Sequence, residues 1–286
     1  MAIASGITPR RDLDFGFSTD MPRHWAQGDA FKSRLLDAFS LQVPIGERLA
    51  MRSVQAFASG ITDATLADAV RAFMAQEGQH SLQHRQFNDS LAAQGVAVHR
   101  LARWGQRQAD GVFRLLPRHW CLALMAGVEH LNAVFGRALL RHSRDFSGDD
   151  PRALALHVWH GAEEWEHRAV CFEVLRTQTR TRRLTRVAMY AVAALLFPSQ
   201  LTLTQIYLLR VDGLSWWGIA GLFKRHWRWL WGRDGFFRQQ MRAQRAYLRG
   251  DFHPSHQADD ATFTRWEQAM AEHGDPLRAL SELHTV

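Results

Sequence analysis

Apolar residues recur every three to four positions along most of this chain, and no stretch sustains the every-second-residue alternation of a half-buried strand. The pattern predicts an all-α protein. A first helix spans roughly Asp29 to Phe57. It should kink or restart at Val43-Pro44-Ile45-Gly46, because a proline has no N–H to give the preceding turn. A second runs from about Thr65 to Gln94 and stops at Gly95, a natural C-terminal glycine. A third covers roughly Pro117 to His142. The fourth starts with Asp150 as N-cap and Pro151 as first helical residue, and continues to about Thr179. Four helices of this length, with short to moderate connections, suit a bundle over residues 25–180.

Beyond Arg180 the pattern changes. Val187 to Leu209 is a 23-residue run without a charge, between Arg186 and Arg210. Its length could span a bilayer, but Pro198 and five polar side chains weaken it, and the chain's mean hydropathy is −0.26. A helix packed on the outside of the bundle is the simpler reading. Five of the 11 tryptophans then fall between Trp216 and Trp231, interleaved with Lys224, Arg225 and Arg228 and followed by Arg233. That mixture suits a helix lying in a membrane interface, or equally a packed helix with cation–π contacts. The tail from Asp251 is polar with two weak helical patches. Residues 181–286 are therefore expected as a helical extension on the bundle.

Composition narrows the class. In 286 residues, 47% are hydrophobic and 22% charged, which excludes intrinsic disorder. Two cysteines, Cys121 and Cys171, cannot make a disulfide framework, and Met1 to Pro22 has no apolar run behind Arg10 and Arg11. Both point to a cytoplasmic setting, at most peripheral to the inner membrane face. The net charge is +7, with Lys32 and Lys224 the only lysines among 35 basic residues. The excess lies downstream of Arg176, which favours an anionic surface as partner. No zinc-finger spacing or RNP-type motif argues for nucleic acid.

The candidate chemistry is distributed one set per helix. The first helix carries Glu47, the second Glu77-Gly78-Gln79-His80, the third Glu129-His130, and the fourth His160 through Glu164 to His167. A single Glu, a Glu-x-x-His, a single Glu and a second Glu-x-x-His on four successive helices is the ligand set of ferritin-like dimetal carboxylate bundles. Residues three apart on a helix differ by about 60°, so each Glu-x-x-His projects from one face. Oxygen and imidazole donors without thiolate suit two iron ions, or manganese, or a mixed Mn/Fe pair. Four glutamates crowded inside a bundle would repel one another unless divalent cations neutralised them. The bland alternative is solvated helix faces, with Glu47, Glu77 and Glu164 pairing Arg48, Arg85 or Arg168.

His160 precedes Glu164 by four and shares its stripe, so it is a candidate third histidine ligand; the alternative is a stacked or supporting histidine beside Trp159. Glu163 falls near the same stripe as a reserve ligand, whereas Glu166 points away. His84, one turn beyond His80, could orient a ligand. His130 reads as a neighbour, and the two cysteines as small hydrophobes.

The stretches Pro44–Arg48, Gln76–His80 through Asn88, Val128–His130 and Trp159–His167 through Val170 resemble the bacterial family called predicted metal-dependent hydrolases, over roughly Phe31 to Thr179 and onward to the tail. The extra histidine is similar to that of di-iron oxygenases of the p-aminobenzoate N-oxygenase type, a likeness of ligand pattern alone. Such a centre can activate O2 with iron, act as a Lewis acid on an ester or amide with redox-inert ions, or store or bind metal without catalysis. An all-helical, carboxylate-rich ligand set favours oxidation of a hydrophobic substrate, with a separate electron donor. No Gly-x-Ser-x-Gly elbow offers a metal-free hydrolase. Contact with membrane would make the substrate lipid-like. Bundles of this class often pair, so a homodimer is one expectation.

Overall fold

The computed structural model describes residues 6–285, and every regular element among them is helical. The helices are α1 (Ala30–Gln55), α2 (Ala64–Ala93), α3 (Val98–Leu115), α4 (Arg118–Arg141), α5 (Arg152–His167), α6 (Val170–Gln178), α7 (Arg183–Val211), α8 (Trp216–Trp231), α9 (Met241–Ala246), α10 (Ala261–His273) and α11 (Pro276–His284). Helix α1 packs on α2 and α4 on α5; α1 also meets α4, and α2 meets α5, which closes a four-helix bundle. Helix α3 lies over α1, and α7 lies over α1 and α4.

Four local details depart from the sequence expectations. Helix α1 runs unbroken through Pro44. The carbonyl of Ser40, which Pro44 cannot satisfy, accepts instead from Asn88 Nδ2 of α2 at 3.1 Å, so the proline's missing donor is replaced from outside the helix. The fourth predicted helix is two helices, α5 and α6, separated at Arg168-Ala169. There the Arg168 guanidinium lies over the Trp165 ring, donates to the Trp165 carbonyl and pairs with Asp259, a long-range partner that the still-helical sequence pattern does not signal. Its start is displaced by one residue: Pro151 is the cap, and Asp150 accepts the Arg152 N–H from just outside. Helix α3 occupies a stretch counted above as connection. It is thinly apolar, with only Val98 and Ala109 buried. Gly95 ends α2 as expected, at φ 92°.

Helices α4 and α5 approach closely at a pair of glycines. A Cβ on Gly136 would come within 2.4–2.8 Å of the Gly161 backbone, so the two helices touch main chain to main chain. The bundle interior holds two apolar clusters. One includes Phe39, Phe87, Phe135 and Trp159; the other includes Leu49, Phe73, Met125 and Val170. On each of α1, α2 and α4 the chain passes from one cluster to the other, and the polar residues Glu47, Glu77, His80 and Glu129 sit at the crossing.

Candidate metal centre

All seven candidate ligands turn inward at that crossing and are buried, from 0% exposed at Glu77 and His80 to 4% at Glu47. They fall into two groups, Glu47–His80–His160–Glu164 and Glu77–Glu129–Glu164–His167, with the donor atoms of each group within 4.8 Å of one another. Glu164 belongs to both. His167 Nε2 lies 3.1 Å from Glu77 Oε1, 3.3 Å from Glu129 Oε2 and 3.4 Å from Glu164 Oε2. In the other group, His80 Nδ1 is 3.4 Å from Glu47 Oε1, and His160 Nε2 is 3.2 Å from Glu164 Oε1.

These atoms face one another without hydrogen bonds. Seventeen buried side-chain nitrogen and oxygen atoms lack a partner among the described residues, and nine belong to these seven side chains. Orphaned buried polar atoms are costly and rare, so their concentration at one point identifies a place built for something else. Spacings just above 3 Å suit adjacent ligands of one cation, since bonds of about 2.0–2.2 Å at right angles put donors about 3 Å apart. The residues present therefore fit a metal at each group.

The outward nitrogen of each histidine is fixed, which decides which nitrogen faces inward. His80 Nε2 donates to Glu163 Oε2 at 3.1 Å, and Glu163 accepts from Arg10 Nη1 at 2.8 Å and Trp159 Nε1 at 2.8 Å. His167 Nδ1 donates to Gln76 Oε1 at 2.9 Å; Gln76 in turn donates to Glu166, which accepts from Arg10 Nη2 at 2.7 Å. His160 Nδ1 meets His84 Nε2 at 3.1 Å, and His84 Nδ1 meets Ser40 Oγ at 2.8 Å. Ser40 then donates to Asn88 Oδ1 at 2.8 Å, the residue that also serves the carbonyl freed by Pro44. Ser81 holds the second Glu47 oxygen at 2.8 Å.

The electrostatics follow from burial and crowding. Burial, reinforced by the neighbouring glutamates, raises Glu47 and Glu77 well above the usual carboxylate range and Glu129 to about 7. Burial pushes His80 down to about 3 and His160 to about 4, leaving neutral imidazoles with a lone pair available. At His167 burial is outweighed by Glu164, Glu129 and Glu77, so its pKa rises, and Glu164 is lowered in return. Without cations the cluster balances its charge with protons; divalent cations would displace them.

Several sequence expectations are thereby sorted. Glu47, Glu77 and Glu164 face histidines and one another, not Arg48, Arg85 or Arg168; Arg168 pairs with Asp259. His160 joins the donor set, and Trp159 packs edge-on against His80. Glu163, the reserve ligand, stands behind His80 and lies outside both groups. Glu166 points away from the centre, yet supports His167 through Gln76. His84 orients His160, while His130 turns aside to the Ala243 carbonyl at 3.2 Å. Cys171 is buried close enough for Glu129, Glu77 and Glu164 to raise its pKa after burial has done so, and Cys121 is also reduced. Sequence reasoning missed Arg10 and Gln76. Gln76 precedes His80 by four and was findable as part of one stripe with His80 and His84; Arg10 lies more than 150 residues from the carboxylates it joins, beyond any spacing rule.

A cavity of about 240 Å³ lies between α1, α3, α4 and α7 and reaches this cluster. Its wall is mostly apolar, including Phe39, Leu49, Met125 and Phe197; Glu47 and Asn132 are among its polar residues, with Gln42, Gln108, Gln200 and Thr204. The Asn132 Oδ1 is buried without a partner.

An all-helical protein with two buried carboxylate–histidine groups sharing one glutamate is a protein able to hold metal ions. The chain belongs to the family described as predicted metal-dependent hydrolase, whose model matches residues 9–258. No curated protein and no solved structure matches it.

Proposed function

We propose that the chain is a dinuclear metal enzyme, a di-iron one, that uses O2 to oxidise a hydrophobic substrate held in the cavity beside Glu47. The observation carrying this reading is the pair of buried donor groups joined at Glu164, with four glutamates and three neutral-capable imidazoles against an apolar cavity. When bound, iron or manganese supplies the redox capacity for O2, whereas redox-inert divalent ions would supply Lewis acidity for an ester or amide.

The chain's own residues perform the remaining tasks. Glu163, Gln76 and His84 hold the three imidazoles in the tautomers that present a lone pair inward. Glu47 stands between the cavity and the cluster, with Ser81 fixing one oxygen. Phe39, Met125 and Phe197 exclude water from the bound substrate, and the Asn132 amide offers it a hydrogen-bond partner. In an oxygenation, one oxygen atom enters the substrate and the other leaves as water. Two electrons and two protons come from an external reductant. Metal-assisted hydrolysis is the second reading, favoured by the family's description.

Two measurements test the proposal. Protein purified without chelator should hold two metal equivalents, dropping on Glu129→Ala or His167→Ala. Anaerobic Fe(II)-loaded protein should develop a visible absorption band on exposure to O2. A silent iron form, combined with esterase activity in the zinc or manganese form, would replace oxidation with hydrolysis.

A further inference from the structure

Helix α7 is long and apolar enough to cross a membrane, with a mean hydropathy of 1.5 over its most apolar window, yet only 17% of that window is buried. It is not surrounded by solvent on all sides. Tyr190, Leu201, Leu208 and Leu209 are buried against the rest of the protein, Leu201 and Leu208 within the larger apolar cluster. The opposite face leaves Leu184, Leu195, Leu196 and Leu203 open, which is more apolar surface than scattered single residues explain. Leu196 and Leu203 also line the cavity, as does Trp104 of α3, which is 59% exposed. The cavity's rim is thus part of the apolar exterior.

The charge around this face is one-sided. Residues 174–233 contain ten arginines and lysines against a single acid, Asp212, and that acid is taken by Arg23, His24 and Arg34. Helix α8, capped by Ser215, directly follows α7; Arg210 at the end of α7 lies over the Trp216 ring. Trp216 and Trp217 are 66% and 87% exposed, and Trp227, Lys224, Arg225 and Arg228 are exposed on the same helix. Exposed tryptophans with cations, and no acidic residue, complement anionic lipid headgroups over an acyl layer. With one face packed on the bundle and cations flanking the other, α7 and α8 suit a helix pair lying in the interface.

We propose that the α7–α8 face seats on an anionic bilayer and that the substrate is a long-chain amphiphile drawn from it through the rim at Trp104, Leu196 and Leu203. Naming the substrate rests on the dimetal reading above; the docking does not. The apolar chain fills the cavity, and the end to be modified reaches Glu47 and Asn132.

The test is flotation of the full chain with vesicles of phosphatidylcholine alone or mixed with phosphatidylglycerol, at low and high salt. Floating with the anionic vesicles only, weakened by salt, is expected. The double variant Trp216→Glu/Trp217→Glu should float roughly tenfold less or worse, with thermal midpoint and metal content unchanged because both rings are largely exposed and the Arg210 contact of Trp216 lies at the surface. Cavity occupancy is read separately, by energy transfer from tryptophan to cis-parinaric acid. Val112→Phe, or Gly105→Val should the first not fold, fills the cavity and should abolish uptake while leaving flotation intact. Wild-type protein that stays in solution with anionic vesicles at low salt overturns the docking, as does a stable dimer that does not float. Flotation without parinaric acid uptake by the wild type overturns lateral entry. Protein that floats and takes up the acyl probe but binds no metal upholds both and defeats the enzymatic reading alone.

Discussion

Arg10 ties together two carboxylates that stand behind different halves of the metal centre, and its removal is the most informative single perturbation. In Arg10→Met the methylenes are kept and both ion pairs, 2.8 Å to Glu163 and 2.7 Å to Glu166, are lost. Breaking a buried pair from one side costs about 3–5 kcal/mol because the partner charge stays buried. Here the partner side chains are 0% and 2% exposed but Arg10 itself is 13% exposed, so water reaches the gap. Glu163 also keeps Trp159, and Glu166 keeps Gln76 and the Thr8 N–H. Those remaining partners place the loss at the lower end, about 3 kcal/mol. Urea unfolding of the metal-free protein measures it. The second consequence is at the centre: with Glu163 and Glu166 slack, His80 and His167 lose orientation, and affinity should fall about 10–100-fold in chelator competition. Arg10→Lys should recover part of the stability and less of the affinity, since a point charge cannot bridge two carboxylates as a fork does. An unfolding midpoint and a metal affinity both equal to wild type in Arg10→Met would refute the reasoning.

Because Glu164 is common to both donor groups, Glu164→Ala should abolish both metal equivalents, whereas His160→Ala should reduce occupancy of one group only, as counted by elemental analysis. Gly161→Ala gains about 1 kcal/mol of helix propensity but places a methyl 2.6 Å from the Gly136 Cα, a backbone contact that cannot yield cheaply. Overpacking of about 1–3 kcal/mol or more should win, so the thermal midpoint falls and metal content falls with it. At Asp212 burial raises the pKa, but hydrogen bonds from Arg34, His24 and Arg23 outweigh it and bring the group to about 2. A depressed carboxylate adds stability above its unfolded pKa near 4 that is lost as pH falls toward 2. That contribution is about 2 kcal/mol. Asp212→Asn should remove it at neutral pH and flatten the acid limb of a pH-resolved denaturation series.

The donor set was legible because helical spacing is local. Glu77 and His80, or His160, Glu164 and His167, declare a shared face from sequence alone, and the apolar run before Glu129 marks it as inward. What joins the helices is not local. The Arg10 clamp, the Arg168–Asp259 pair beside the junction of α5 and α6, and the Asn88 donor that lets α1 continue past Pro44 all depend on residues brought together by folding. Helix α3 was missed for another reason. It buries only Val98 and Ala109, and four exposed arginines make the segment read as a polar connection, although its apolar residues Leu101, Ala109 and Val112 do segregate to one face at helical spacing. The exposure of α7 was equally hidden, since an uncharged run reads the same whether it faces core, solvent or lipid.

Pro44 is an interruption put to use. By withholding one amide hydrogen it turns a main-chain oxygen in the middle of α1 into a mooring point, and the cable fastened there runs through Asn88, Ser40 and His84 to a ring at the centre. An alanine at that position would mend the helix and, by competing for the mooring, let the far end of the cable swing.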